Sequence, residues 1–279
     1  MTAVQEAAAR PTGAARADAR RRQAARRTAI VWTVRVVLVG AFVAAWQVGG
    51  SSSTYATLVF STPAAVVQRI GQWLTDGSWW VSFGATLQEA VLGYLLGVAV
   101  ALVLVAITAP SRLVTRFLAP FIAALNALPK IALAPVFILL FGTRLESKVL
   151  FIASLIGFMV FYAVSAAVQT IDRTLIANMR VLGASRTDLL RNVYGPAMLG
   201  QVIASLRVSS AWALLAAVIA EYLAANQGLG YLIAHGQQTF ATADVIAGIV
   251  VVAFVAVALD RILVVVERRL SRWRPQPTE

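Results

Sequence analysis

Long apolar runs constrain this sequence more than any other feature. Runs of about 18 or more residues with few charges are typical of membrane-spanning helices, because lipid offers backbone groups no hydrogen-bond partner. The composition agrees, with 59 % hydrophobic and 13 % charged residues in 279. The sequence therefore predicts an all-α polytopic membrane protein. Six spans are expected at approximately residues 30–48, 83–109, 118–141, 148–168, 202–223 and 243–265.

Composition divides the chain into three parts. Residues 1–27 are rich in alanine and arginine and poor in apolar residues, so a disordered basic cytoplasmic tail is expected there. Residues 28–270 are expected to form the transmembrane domain, and residues 271–279 a second cytoplasmic tail. The first apolar run is longer than that of a signal peptide, which predicts an uncleaved anchor.

The net charge of +12 suggests nucleic-acid binding at first sight, but its placement indicates membrane topology. With both termini in the cytoplasm, 17 of the 24 lysines and arginines lie inside. Only Arg69, Arg144 and Lys148 lie outside. This distribution satisfies the positive-inside rule. We therefore expect contact with membrane lipid and no nucleic-acid partner.

The supply of reactive side chains argues against an enzyme. The chain has no cysteine and one histidine, His235, which makes a zinc site or a Ser-His-Asp triad improbable. Neither of its two lysines, Lys130 and Lys148, lies in a phosphate-binding glycine-rich loop. If ATP drives this protein, another chain must bind it. No cofactor, metal or catalytic residue is expected.

The third predicted span is unusual because three prolines interrupt it, at positions 120, 129 and 135. Proline breaks the hydrogen bonds of a helix and is tolerated in a membrane only where neighbouring protein or water satisfies the freed carbonyls. The span is therefore expected to face other helices or a solute pathway.

A polar stretch at residues 170–196, between the fourth and fifth spans, predicts two short helices joined by a turn. Asp172 is placed to cap the first helix. Gly183 is expected to end it, and Ser185 with Asp188 has the spacing of a capping box that starts the second helix.

The sequence also predicts where this stretch ends and which of its residues are exposed. Pro196 is expected to close the second helix. Arg180, Arg186 and Arg191 supply a basic exposed surface. On periodicity alone, the stretch is either a compact connector whose charge fixes topology or a docking element.

The stretch and its flanks resemble the permease subunit of binding-protein-dependent type I ATP-binding-cassette (ABC) importers. The family signature begins Glu-Ala-Ala, followed by a glycine and later by an apolar residue and a proline. Here the first three positions are Ala177–Met179, the glycine is Gly183, and the final pair is Gly195–Pro196. The glycine and the proline match, whereas the glutamate is missing.

Further segments extend the resemblance over about residues 60–273. They look, in this order, like the subgroup that imports taurine, alkanesulfonates and nitrate: TPAAVVQRI, ALPKIALAPVFILLFG, ESKVLFI, RVLGASRTDLLRNVYGPA, LRVSSAWALLAAVIAEYLAANQGLGYLI and ERRLSRWR. The resemblance implies the type I importer permease fold, with six transmembrane helices and both termini cytoplasmic, in the bacterial inner membrane.

The resemblance also implies partners. The expected machine has two permease chains, here taken as identical, two ABC ATPase subunits and an extracytoplasmic solute-binding protein. Residues 170–196 would dock into a groove of the ATPase as the coupling helix. The ATPase-coupling residues implied are Met179, Arg180, Leu182, Gly183, Ala184, Ser185, Arg186 and Leu189.

The resemblance favours a small anion, such as a sulfonate, taurine or nitrate, as the solute. Import of a thiamine-type pyrimidine precursor by the same machine is one alternative. A self-contained channel or secondary carrier is another, although such a carrier is expected to show internal repeats or a polar broken helix pair, and neither is visible.

Polar side chains within the spans are costly, so each is a candidate for function. Glu221 either lines a gate or caps an adjacent helix, whereas Arg207 and Asp260 either snorkel or pair. Glu89 also qualifies by its position, and small residues such as Gly93 and Gly97 suit close helix approach. The translocation-path candidates are Ser205, Ser209, Trp212, Glu221 and Lys130, with helix packing as the alternative for the first three.

Overall fold

The computed structural model describes the backbone of residues 13–108, 112–169 and 171–270, and every regular element in those ranges is a helix. The chain divides after Ala65 into two compact units. The predicted C-terminal tail, residues 271–279, and the first twelve residues lie outside the described ranges.

The first unit contains two helices, α1 (Gly13–Gly50) and α2 (Thr54–Phe60). The indole nitrogen of Trp46 donates to the Phe60 carbonyl at 3.0 Å, which ties the end of α2 to α1. Helical backbone from Gly13 differs from the disordered tail predicted for residues 1–27. Alanine and arginine are strong helix formers, so a segment too polar for a packed core still forms a helix.

The second unit carries the remaining elements. They are α3 (Pro63–Thr75), of which residues 66–75 belong to this unit, α4 (Ser78–Thr108), α5 (Arg112–Ala127), a 3₁₀ turn (Lys130–Leu133), α6 (Ala134–Phe141), α7 (Leu145–Gln169), α8 (Arg173–Val181), α9 (Arg186–Leu189), a π turn (Leu190–Tyr194), α10 (Gly195–Ala224), α11 (Leu229–Gln238) and α12 (Thr242–Leu270).

Helices α4 and α7 pack closely and run in the same direction, with Gly93 against Ile152 and Gly97 against Ile156. A Cβ atom at Gly93 would lie 2.5 Å from the Cβ of Ile152, and one at Gly97 would lie 2.7 Å from the Ala153 carbonyl oxygen. Any side chain at either position would force the helices apart. The predicted role of these glycines in close helix approach is confirmed.

The core of this unit lies where α10 packs on α7. The buried residues there include Phe151, Ile152, Leu155, Ile156, Val160 and Val164 from α7, with Ala213, Ala216, Ala217 and Ala220 from α10, and Ala90, Ala101 and Val105 of α4 belong to the same cluster. Large side chains on one helix thus meet small ones on the other, which allows interdigitation at native packing density.

Five segments among the described residues are long and apolar enough to cross a membrane. They are Arg26–Gly50, Ser78–Thr108, Leu145–Ala167, Leu199–Gln238 and Thr242–Ile262. These correspond to five of the six predicted spans, so the prediction of an all-α polytopic protein is confirmed. The number six and the cytoplasmic placement of both termini stay predictions.

The predicted third span, residues 118–141, is not one continuous helix. Helix α5 ends at Ala127, and a 3₁₀ turn begins after Pro129, whose carbonyl accepts a hydrogen bond from the Ala132 amide at 2.8 Å. Pro135 then lies in the first turn of α6, where no amide hydrogen is needed. Pro120 lies inside α5 and does not end it, so the prediction that this proline interrupts the span is wrong. The break falls at Leu128 and Pro129, where the backbone is not α-helical.

Candidate functional site

The polar stretch at residues 170–196 forms a capped helix, a turn and a second helix start. Asp172 begins α8 by accepting a hydrogen bond from the Thr174 amide at 2.8 Å. Gly183 follows α8 with a φ of +82°, and the Ala184 amide then donates to the Met179 carbonyl at 3.0 Å. Because a positive φ is strained for a residue with a Cβ, this turn requires glycine.

The predicted capping box forms at the start of α9. The Ser185 amide donates to the Asp188 carboxylate at 2.8 Å, and the Asp188 amide donates to the Ser185 hydroxyl at 3.2 Å. Hydrogen bonds from the Ser185 hydroxyl and amide stabilise the ionised carboxylate, so they lower the pKa of Asp188 from its ordinary value. The turn is thus stabilised by the hydrogen bond that follows α8 and by the capping box that starts α9.

The prediction that Pro196 closes the second helix is wrong. Helix α9 passes through the π turn and continues directly as α10, with Pro196 in the first turn of α10. The π turn widens the helix just before Pro196, with the Gly195 amide donating to the Leu190 carbonyl, and the helix continues past the proline. The segment and the following span are therefore one continuous helical element.

An apolar cluster inside the segment holds its two helices together. Leu189, Val193 and Tyr194 are buried there, and Ile171, Ile176 and Met179 pack against them. Leu189 is therefore an internal packing residue of the segment, and its 5 % exposure leaves little surface for a partner. Met179 is also partly enclosed by this cluster.

The tip of the segment presents apolar side chains outward. Val181 and Leu182 are 86 % and 82 % exposed, and Arg180 beside them is exposed as well. Leu182 was expected at this surface, whereas Val181 was missed because it falls off the apolar face of α8. Ser185 is exposed and Ala184 half-buried, while the side chain of Arg186 lies outside the described residues. We call Val181 and Leu182 the apolar tip.

Glu221 caps the start of α11, which is one of the two roles that the sequence left open. Its side chain is fully buried. One carboxylate oxygen accepts from the Thr86 hydroxyl at 2.7 Å, and the other accepts from the Gly230 amide at 2.8 Å. Thr86 in turn accepts from the Leu229 amide at 2.9 Å. Two of the amides at the start of α11 thus find partners on α4 and α10.

Gly228 makes this cap possible. Its φ is +118°, and a Cβ atom there would lie 2.2 Å from the Glu221 carboxyl carbon. Thr86 was not singled out from the sequence. The signal available was the pair of glycines at 228 and 230, seven and nine residues after a buried glutamate.

A buried ion pair lies one turn further along α4. The Lys148 ammonium donates to a carboxylate oxygen of Glu89 at 2.5 Å, and both residues are buried. From the sequence, Lys148 is expected to be an external charge that sets topology. Instead, the pair joins α4 to α7 within the bundle, where an unpaired charge would be costly.

The candidates on α10 have different environments. The Ser205 and Ser209 hydroxyls are buried and donate to carbonyls of their own helix, at 2.9 Å and 3.3 Å. Their environment therefore fits helix packing, the alternative reading for them. Trp212 is 40 % exposed. Arg207 and Asp260 form a half-exposed ion pair at 3.7 Å, so they pair as one of the two predicted options.

Lys130 lies in the 3₁₀ turn, close to the middle of α7. It lines a cavity of about 250 Å³ together with Phe158, Met159, Tyr162 and Ala163. Neither Glu221 nor the serines of α10 line this cavity, so the five path candidates do not share it.

Residues 93–272 match the family described as the binding-protein-dependent transport system inner membrane component. Three relatives align along most of their length. The aliphatic sulfonates transport permease protein SsuC of Bacillus subtilis is 30 % identical, over 87 % of this chain and 88 % of that protein. The riboflavin transport system permease protein RibX of Chloroflexus aurantiacus is 36 % identical, over 82 % and 85 %. The taurine transport system permease protein TauC of Escherichia coli is 26 % identical, over 86 % and 90 %.

Among solved structures, the inward-facing methionine ABC transporter MetNI is similar with a TM-score of 0.49 and 20 % sequence identity. The similarity covers 70 % of this chain and 96 % of that one.

Proposed function

Since this chain belongs to the family of binding-protein-dependent transport system inner membrane components, we propose that it forms part of a solute path and couples that path to a separate ATPase. It is a multi-pass permease subunit of the inner membrane, as the sequence resemblance predicted. Transport, rather than catalysis, is the role of this subunit. ATP hydrolysis is proposed to take place on another chain.

The observation that carries the coupling proposal is the apolar tip. Two large apolar side chains that are more than four-fifths exposed, on a segment held by two caps, are typical of a protein interface. The neighbouring Arg180 adds positive charge. We infer that the tip docks into an apolar notch of the ATPase with acidic groups nearby. The missing glutamate at Ala177 removes one polar contact and leaves this packing intact.

The segment is joined to the spans without a break. Because α9, the π turn and α10 form one helical element, displacement of the apolar tip is transmitted along α10 towards the Glu221 cap. ATP binding would then favour one state of the permease through the contacts that this state makes with the ATPase. The full machine is proposed to hold a second, identical permease chain, two ATPase subunits and an external solute-binding protein.

The proposed solute is a small anion such as a sulfonate, taurine or a nitrate-like ion. Two relatives are named for the transport of aliphatic sulfonates and taurine. Lys130, a cation within a predicted span, lines a cavity and suits a negative group.

A planar heteroaromatic solute is the second candidate. One relative is named for riboflavin transport, and Phe158 and Tyr162 line the same cavity as Lys130. A thiamine-type pyrimidine precursor belongs to the same chemical class. Flat rings stack on aromatic side chains, so this cavity suits them too.

The coupling proposal is tested by purifying the chain from solubilised membranes, as wild type and as Gly183→Arg. An ATP-hydrolysing subunit should accompany the wild type and be lost from the variant, because a side chain at φ +82° strains the turn that presents the apolar tip. Gly142→Arg is the matched control, since Gly142 has a φ of +76°, open space around it and a place in a different turn.

The control variant should retain the ATPase. A folded wild-type chain that purifies without any ATPase would contradict the proposal and favour a self-contained channel or secondary carrier.

A further inference from the structure

Two adjoining cavities lie beside α7, and Phe158 lines both. The first holds Lys130, as described above. The second has a volume of about 290 Å³ and lies between α4, α5 and α7. Its lining is Val100, Leu104, Thr108, Phe121, Ile122, Leu125, Ala153, Ser154, Gly157, Phe158 and Phe161. We call the second cavity the aromatic slot.

The aromatic slot offers an occupant almost no polar partner. Its two hydroxyls already donate within their own helices: Ser154 to the Phe151 carbonyl at 2.7 Å, and Thr108 to the Leu104 carbonyl at 2.9 Å. The other lining residues have apolar side chains or, like Gly157, none. An occupant of this slot therefore gains from burial of apolar surface and from aromatic contact, and it needs no hydrogen-bonding group of its own.

The two cavities differ in charge, because Lys130 lines one and the other is apolar. Lys130 follows Pro129, at the point where the prolines replace a continuous helix by a 3₁₀ turn. A lysine within a membrane segment is costly and marks a functional position by default. A cation in the lining of one cavity and an apolar lining in the other, with Phe158 common to both, together match a molecule with an anionic group attached to an apolar body.

We propose that these two cavities form a solute-binding site within the permease itself, in which Lys130 takes the anionic group and the aromatic slot takes the apolar body. This inference rests on the proposed import of an anion and adds selectivity by the membrane subunit. Solutes with a chain or ring beside the negative group are retained. Small hydrophilic anions, which leave the slot unfilled, bind weakly.

The test uses the permease–ATPase complex in nanodiscs of zwitterionic lipid, without the binding protein. Isothermal titration calorimetry compares hexanesulfonate with methanesulfonate, which carry the same head group, after subtraction of empty nanodiscs. The wild type should bind hexanesulfonate at least tenfold more tightly, because the aromatic slot buries the five methylenes that methanesulfonate lacks. Equal Kd values for the two probes would overturn the proposal.

Variants locate the two parts of the site. Ser154→Leu fills the slot and should weaken hexanesulfonate at least tenfold while leaving methanesulfonate unchanged. Ser210→Leu is the matched control, because the Ser210 hydroxyl also donates to its own helix at 2.7 Å and lines neither cavity. Leu125→Trp narrows the slot from α5 and replaces Ser154→Leu if that variant does not assemble. Lys130→Gln should weaken both probes.

The outcomes separate three sources of failure. If the wild-type complex assembles and drives ATP-dependent uptake but Ser154→Leu affects both probes equally, the slot inference fails and the proposed function stands. If neither probe binds and no anion is imported, the proposed function itself fails. If anionic lipid added to the nanodiscs abolishes hexanesulfonate binding in the wild type but not in Lys130→Gln, the site holds a lipid and the proposal is overturned.

Discussion

Substitution of Glu221 distinguishes two possible roles of this residue: a cap that stabilises the structure, and a charge in the solute path. Glu221→Ala removes both hydrogen bonds of the carboxylate and leaves the Gly230 amide buried without a partner, whereas the Thr86 hydroxyl can still donate to the Ser82 carbonyl at 3.0 Å. A buried amide left without its hydrogen-bond partner costs about 1–3 kcal/mol. With the cavity left by the side chain, the total loss in free energy of unfolding should be about 2–5 kcal/mol.

Glu221→Gln should cost much less. The amide oxygen can still accept from the Gly230 amide, and the amide nitrogen can donate to the Thr86 hydroxyl oxygen, so the cap keeps its shape without its charge. We expect a loss below about 1.5 kcal/mol. ATP-driven uptake in proteoliposomes should remain close to that of the wild type.

The assay combines unfolding of the purified complex, followed by tryptophan fluorescence, with uptake by the same preparation. The capping role predicts that Glu221→Ala loses about 2–5 kcal/mol in free energy of unfolding, whereas Glu221→Gln loses less than about 1.5 kcal/mol and remains active. If Glu221→Gln is as stable as the wild type yet transports nothing, the charge is required for transport and the reasoning from the cap is refuted.

Two further changes test the packing of the second unit. Gly93→Ala should cost about 1–3 kcal/mol in free energy of unfolding, because its Cβ would lie 2.5 Å from the Cβ of Ile152. Gly84→Ala in the same helix meets nothing within 4 Å and should stabilise the protein by up to about 1 kcal/mol through helix propensity. Equal effects of the two changes would contradict the close approach of α4 and α7. Arg69 pairs with Asp244 at 2.7 Å, so a double-mutant cycle of alanine variants, followed by chemical unfolding, should give a coupling of about 1 kcal/mol, and additive effects would show that the pair contributes nothing.

Local signals in the sequence predicted local structure well. The cap at Asp172, the glycine turn at 183 and the capping box of Ser185 with Asp188 each depend on residues within a few positions of one another. Their geometry follows from backbone chemistry that any helix terminus shares. The long apolar runs were equally informative, because the need to satisfy backbone groups in lipid leaves few structures to choose from.

Contacts between distant residues could not be predicted in the same way. Lys148 begins a predicted span beside an external turn, where a positive charge is interpreted as a signal for membrane topology. Its burial depends on Glu89, which is 59 positions earlier and becomes a neighbour only when α4 and α7 pack in parallel. The role of Thr86 could not be predicted for the same reason, since it depends on the amide of Leu229 in α11, which is 143 positions later.

The end of the polar segment shows a third limit. Proline usually stops a helix, and Pro196 was read in that sense. Sequence patterns give no signal for a π turn, which adds one residue to a helical turn and lets the chain continue. The division of the third predicted span was easier to anticipate, because three prolines cluster in it, but the 3₁₀ geometry at Lys130–Leu133 was not.

The π turn at Leu190–Tyr194 also fixes a rotational phase. Each residue of an α-helix advances the chain by about 100° around the axis. Deletion of one residue in the π turn, with the helix restored to regular α geometry, would therefore swing everything before it by about that angle relative to α10. One extra residue in the π turn therefore sets the rotation of the apolar tip about the axis of α10. That rotation is measured relative to the face of α10 that carries Glu221, some 30 positions later in the chain.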